Sequence, residues 1–267
     1  MSVPRHASVR RRRPSRGARV AYGVVGVVGE LLITLGVLVL AFLVWQLWWT
    51  DVEGNRAQAE VVRELPRLEV PTAAPSADAT PGPLVATPRR DDPPVMADVD
   101  HTTTFATIQV PRWDGEPERP VSEGVDRAQV LDVLGVGHYP GTAMPGDVGN
   151  FAMAAHRTTF AKPFNRIAEL QEGDAIVVRT ATVDGGPGTD TWYVYRVTSS
   201  QIVYPSQTEV IAPVPGEPGA APTARSITLT TCHPMFSARQ RFVVHGVLDY
   251  WAPVADGTPA ELLEGAS

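Results

Sequence analysis

Apolar residues run almost without a break from Val20 to Trp49, interrupted by Glu30 and by Gly23, Gly26, Gly29 and Gly36. A bilayer core needs about 20 helical residues rising about 1.5 Å each, and Leu31 to Trp49 meets that length while leaving Glu30 at a membrane edge. Trp45, Trp48 and Trp49 then form an interfacial aromatic cluster at the far end. Beyond them the pattern changes twice. Asn55 to Leu68 carries charges at spacings that extend the helix a few turns, and Pro71, Pro75, Pro81, Pro83, Pro88, Pro93 and Pro94 follow among Ala, Thr and Asp. Such a stretch cannot bury enough apolar surface to order itself and is expected to act as a semi-extended spacer.

From Thr102 the pattern is that of a folded domain. Thr103 to Val110, Asn150 to His156, Ala175 to Thr180, Thr191 to Thr198, Ile202 to Tyr204, Ile227 to Thr231 and Phe242 to Tyr250 read as strands. Val125 to Leu134 and Pro163 to Leu170 read as short helices, and Gly135 to Gly149, rich in Gly and Pro, reads as loop. Many short strands with few short helices predict a mostly β fold, a small and mainly antiparallel barrel. The expected organisation is a basic tail (1–19), a transmembrane anchor (20–50), a Pro-rich linker (51–101), a globular domain (102–254) and a C-terminal tail (255–267).

Charge refines this picture. The net charge of -6 hides an asymmetry, since Arg5, Arg10, Arg11, Arg12, Arg13, Arg16 and Arg19 all precede the apolar run. The remainder is acidic overall, which argues against nucleic acid as a partner of the globular part. Arginines before the span, with Asp51 and Glu53 after it, predict a cytoplasmic N-terminus and a domain outside the cell membrane. A cleavable signal peptide has an apolar core of about 7 to 15 residues, and this run is longer and ends in tryptophans, so an uncleaved single-pass anchor is expected.

The chain has one cysteine, Cys232, which excludes an intrachain disulfide framework and a multi-cysteine metal cluster. No phosphate-binding glycine loop, zincin helix or paired-carboxylate motif occurs; Asp147, Glu172, Asp174 and Asp184 are scattered among turns, and no cofactor is expected. A free cysteine is most often a small buried hydrophobe. Cys232, however, follows two threonines at a strand end in an exported chain, where an unpaired thiol is kept for reactivity or for pairing between chains. Arg241 opens the next strand nine residues later, so a hairpin would set thiol and guanidinium side by side; Arg239 competes for that place. A thiol nucleophile also needs a base, and histidine suits the working pH. His245 sits mid-strand, His233 adjoins Cys232 and His101 lies at the linker edge, which leaves His138 and His156, between which spacing does not choose.

The sequence TLTTC, followed by an arginine that begins a hydrophobic strand (RFVVHG), resembles the sortases, membrane-anchored cysteine transpeptidases of Gram-positive bacteria. The segment GHYPGTAMPGDVGNFAMAAHRTTFAKPFNRIAELQEGD fits as well, and the GHYPGT form with CHP after the thiol is most similar to class E sortases of actinobacteria. The resemblance covers about Thr103 to Leu248 and implies a closed β-barrel of about eight strands. It further implies Cys232 as nucleophile, His156 as acid/base partner and Arg241 as stabiliser of the carbonyl or oxyanion. His138, Tyr139 and Thr231 are the implied substrate-binding positions. Ala155 stands where the family often has glycine, a methyl group that would narrow the site. The implied substrates are proteins with an LAXTG-like or LPXTG-like sorting signal, cut between Thr and Gly. The implied acceptor is an amine of a peptidoglycan precursor such as lipid II or of a pilin, and a housekeeping role is favoured because nothing after Val254 is apolar enough to span a membrane. The rival readings are a pilin-polymerising sortase, another exported Cys/His acyl-transfer enzyme and a non-catalytic wall-binding β domain. An L,D-transpeptidase would need an SHGC-type motif that this chain lacks, and a papain-like peptidase would place its cysteine before its histidine.

Overall fold

The computed structural model describes residues 16–72, 84–183 and 185–264. Arg5, Arg10, Arg11, Arg12 and Arg13 of the basic tail, Pro75, Pro81 and Pro83 of the linker, Asp184 and the last three residues lie outside them. The chain divides into two units, Met1–Trp48 and Trp49–Ser267.

The described part of the first unit is helical, belonging to α1 (Arg16–Glu64), and large apolar side chains such as Val24, Leu31, Leu35, Phe42 and Trp45 are exposed. This is the one helix among the described residues long and apolar enough to cross a membrane.

The second unit is built on eight strands: β1 (Thr104–Gln109), β2 (Arg119–Glu123), β3 (Val136–His138), β4 (Gly149–Ala154), β5 (Ala175–Thr180), β6 (Thr191–Val203), β7 (Arg225–His233) and β8 (Gln240–Pro253). They close a barrel in the order β1-β2-β3-β4-β7-β8-β6-β5, so no strand edge is left open. All neighbours are antiparallel except β2 with β3 and β4 with β7. Side chains alternate across the barrel wall. Tyr193, Tyr195 and Val197 of β6 point into a core with Phe105, Phe151, Phe164, Ile176, Ile227 and Leu229. Trp192 and Val194 point outward, where Ala175, Val177, Tyr250 and Val254 join them and where Val70 and Leu262 of the short α2 (Ala260–Glu264) pack. Burial of both faces explains why these strands read as nearly continuous apolar runs.

Several local expectations change. The predicted helix over Pro163 to Leu170 is only a 3-10 turn at Ile167–Glu169. Its buried residues Phe164, Ile167 and Leu170 recur every third position, the period that stacks in a 3-10 turn. Val125 to Leu134 supplies a single π-helical turn, Arg127–Leu131, capped by the Asp126 carboxylate accepting from the Gln129 N–H at 2.8 Å. β2 and β3 were not legible as strands: Pro120 removes a ladder donor from one, and the other spans three residues.

The stretch expected to be a spacer instead lies on the barrel wherever it is described. Val62 and Leu65 are buried. Further on, Arg89 and Trp251 exchange backbone hydrogen bonds of 2.8 and 2.9 Å, and the Arg89 guanidinium stacks over the Trp251 ring at 5.1 Å. Arg90 pairs with Asp249 at 3.0 Å and Asp92 with Arg225 at 2.7 Å. Tyr193 donates its hydroxyl to the Pro94 carbonyl at 2.5 Å, and Met96 enters the core. A proline-rich segment cannot form its own core, but it can be held by one that already exists.

Candidate active site

The site follows from strand register. β4 and β7 are parallel with Ala154 beside Thr230, and the Ala155 N–H continues the ladder to the Thr230 carbonyl at 3.2 Å. Two residues further along each chain stand His156 and Cys232, which therefore leave the same end of the barrel side by side. β7 and β8 are antiparallel with Cys232 opposite Arg241. His156, from a distant strand, thus joins the Cys232–Arg241 hairpin in one row, and all three line a single cleft of about 610 Å³.

Cys232 is half-buried and its thiol is free. Arg241 is tethered through Nη1 to the Ala238 and Gln240 carbonyls, each at 3.0 Å, so its own loop aims the guanidinium. His156 lies 2.5 Å through Nε2 from Oδ1 of Asp132, a carboxylate just after the π-helical turn. Beside an imidazolium such a carboxylate stabilises the charge and fixes the ring. Nothing in the sequence singled out Asp132, because one Asp in a loop-like segment has no signature.

A second unforeseen residue is Arg157. It is buried behind the thiol, its Nη1 donating to the Cys232 carbonyl at 3.3 Å and to Nδ1 of His233 at 2.8 Å, with its guanidinium 5.4 Å from the Phe242 ring. Burial pushes its pKa down, and the nearby Cys232 charge acts in the opposite sense. The adjacency of His233 to Cys232 therefore serves the support of the strand end.

Tyr139 lines the cleft and holds its hydroxyl 3.0 Å from Thr230 Oγ1, which itself donates to the Met153 carbonyl at 3.1 Å. Thr231 also lines the cleft, but its hydroxyl proton is committed to the Ala155 carbonyl at 2.7 Å. Ala155 is part of the wall. His138 departs from expectation. It is 2% exposed, packs edge-on to Phe105 and bonds Glu123 at 2.5 Å through Nδ1 and Thr142 at 2.8 Å through Nε2. Both ring nitrogens are occupied, and the ring is not among the residues lining the cleft, unlike Tyr139 and Thr231.

His245 is likewise internal. Gln201 donates to its Nε2 at 3.1 Å, its Nδ1–H donates to Thr228 Oγ1 at 2.9 Å, and Thr228 donates to Asn150 Oδ1 at 2.7 Å. Desolvation lowers its pKa, in keeping with this neutral tautomer. His101, at 2.9 Å from Asp126, and Arg239 are not among the residues lining the cleft. The rim carries Phe236, 77% exposed with a left-handed φ of 61°. Among the described residues no three His, Cys, Asp or Glu side chains converge to hold a metal ion.

A thiol, an imidazole backed by a carboxylate and a fixed guanidinium around one cleft are equipped for acyl transfer. Comparison with known proteins points the same way. The Sortase domain family matches residues 108–249. Sortase SrtE1 of Streptomyces coelicolor is 34% identical over 263 residues, 96% of this chain and 66% of that protein. Sortase SrtE2 of the same organism is 33% identical over 250 residues, 89% of this chain and 86% of that one. This chain thus spans just under two-thirds of the first relative's length. Among solved structures, the SrtA sortase from Actinomyces oris is 44% identical with a TM-score of 0.60, covering 66% of this chain and 97% of that one. Sortase E1 from S. coelicolor, with a tripeptide in its active site, is 38% identical with a TM-score of 0.54, covering 60% of this chain and 97% of that one.

Proposed function

The chain belongs to the sortase family, and from that premise we propose that it is a membrane-anchored class E transpeptidase that cuts a sorting signal between Thr and Gly and joins the new carboxyl end to an amine. The observation that carries this reading is the register that sets His156, Cys232 and Arg241 in one row at one end of the barrel. The Cys232 thiolate attacks the threonine carbonyl carbon, and the oxygen that gains charge is stabilised by the Arg241 guanidinium. As the C–N bond breaks, protonated His156 gives its proton to the departing glycine amine, leaving a thioester on Cys232 and a neutral imidazole. The acceptor amine then attacks the thioester, His156 takes its proton, and the thiolate is regenerated. Asp132 holds the imidazole ring and compensates its charge when protonated. Tyr139 and Thr231, on the cleft wall, are the proposed contacts for the signal. α1 supplies the anchor, with the N-terminus cytoplasmic and the barrel outside. The acceptor is proposed to be a peptidoglycan precursor such as lipid II, in a housekeeping role.

The test is peptide turnover by the full chain in detergent micelles, with LAXTG and LPXTG peptides and an amine acceptor, against Cys232→Ala. Cys232-dependent cleavage at Thr–Gly with transfer to the amine is expected, faster for LAXTG. A folded wild type that cleaves neither peptide overturns the reading, and faster turnover of LPXTG overturns the signal preference alone.

A further inference from the structure

Residues 49–64 of α1 belong to the same unit as the barrel, and they touch both segments that bring His156 and Asp132 together. On the His156 side, the following loop places Phe160, Ala161 and Lys162 at φ of 53°, 63° and 41°. Three successive left-handed residues bearing a Cβ are unfavourable and persist only where their surroundings hold them. The helix is that surrounding. Gly54 comes so close that a Cβ on it would stand 2.8 Å from the Ala161 nitrogen and 2.9 Å from the Phe160 carbonyl carbon. Asp51 pairs with Lys162 at 2.8 Å, and Gln58 Nε2 donates to the Phe160 carbonyl at 3.2 Å. The Phe160 ring in turn packs 5.2 Å from the His156 imidazole.

On the Asp132 side, the chain turns at Gly135, where φ is 99° and where a Cβ would stand 2.8 Å from Gln58 Cδ. Gln58 is 1% exposed, and its Oε1 accepts from Nη1 of the buried Arg119 at 3.1 Å. Its amide is thus wedged between the loop after His156 and the turn after Asp132. An apolar side chain would fill the space but would leave the Phe160 carbonyl without this donor and the buried Arg119 guanidinium with one acceptor fewer, so the amide ties the loop after His156 to Arg119 through hydrogen bonds.

We propose that Gln58 is a positioning residue for the His156–Asp132 pair, and that residues 49–64 are a working part of the catalytic unit. The proposal rests on His156 being the acid/base partner. Gln58 sets the separation of the two segments, and with it the orientation in which the imidazole meets thiol and leaving amine. A misplacement of the acid/base group is felt in turnover, while Tyr139 and Thr231, the proposed contacts for the signal, lie on the cleft wall outside the two segments that Gln58 touches.

The test uses the full chain in detergent micelles with an LAXTG peptide and an amine acceptor. Gln58→Glu keeps an acceptor for Arg119 and removes the donor to Phe160. It is expected to lower kcat by roughly tenfold with KM within about twofold of wild type. Asp51→Asn, a change at a partly exposed pair, is expected to lower kcat by roughly threefold with the same unchanged KM, and it decides the matter should Gln58→Glu not fold. Folded variants with wild-type kcat, or with a loss confined to KM, overturn the proposal alone. A wild type without Cys232-dependent turnover overturns the acyl-transfer reading and this proposal with it.

Discussion

Arg241 shows how much of one side chain's work is set by its immediate tethers. Two carbonyls of its own loop hold Nη1, so the remainder of the fork is presented in a fixed plane. Lysine would keep the charge and lose that geometry. Arg241→Lys is therefore expected to lower kcat by about a hundredfold or more, the scale of one lost oxyanion donor, with a smaller change in KM, read from steady-state peptide turnover. His245 gives a prediction of another kind. Burial holds its folded pKa below the ordinary value, so the unfolded chain binds its proton more readily. Its contribution to stability is intact above the unfolded pKa of about 6.5 and is lost as pH falls from there toward the folded value. His245→Gln should flatten the decline in unfolding free energy below about pH 6.5, measured by urea denaturation across that range; an unchanged slope would show that another group sets it. Cys232 and Arg241 were legible in the sequence because a lone cysteine and a strand-opening arginine are uncommon in those places. His156 and His138 were not distinguishable, since what separates them is which strand end meets the end of β7. Asp132, Arg157 and Gln58 were invisible, each being an ordinary polar residue whose role depends on a partner at least 24 residues away in the chain.

At the scale of elements, the site depends on one parallel pairing. β4 and β7 are joined through a long excursion that includes β5 and β6, and no local pattern announces that they will be neighbours. The strands with dense apolar runs were readable, whereas their order around the barrel was not. β3 bridges β2 and β4 and carries the packing of the turn before Asp132, a load concentrated on Gly137. A Cβ there would stand 2.2 Å from the Gly124 carbonyl oxygen, 2.9 Å from Leu131 Cδ2 and 3.1 Å from Val130 Cγ1. Gly137→Ala must therefore displace the π-helical turn or the β2 end. We expect it to cost about 1–3 kcal/mol in unfolding free energy, the range for overpacking, and to lower turnover by moving Asp132 relative to His156. Loss of stability without loss of kcat in the folded fraction would place the displacement on the Gly124 side.

For the whole molecule, the question is where the catalytic unit begins. Composition places its start near Thr102, because the proline-rich stretch carries none of the alternation that marks a strand. The compact unit that holds the barrel starts at Trp49, and the described segments between there and Thr102 pack on the barrel. A chain begun at Asp98 loses Met96 from the core, worth about 1.5–3 kcal/mol. It also loses the paired backbone bonds between Arg89 and Trp251, worth about 0.5–1.5 kcal/mol each, together with the burial of Val62 and Leu65. The sum is several kcal/mol, and for a domain of this size each kcal/mol moves the melting temperature by about 2–4 °C. A chain begun at Trp49 should therefore melt roughly 10 °C or more above one begun at Asp98 when the two are compared by calorimetry in the same buffer. If the two melt within about 2 °C of each other, the segment merely rests on the barrel and the shorter chain is a sufficient domain. If they differ as expected, the anchor-proximal helix and the proline-rich strap are structural members of the barrel, and the domain boundary drawn from composition falls inside a single cooperative unit.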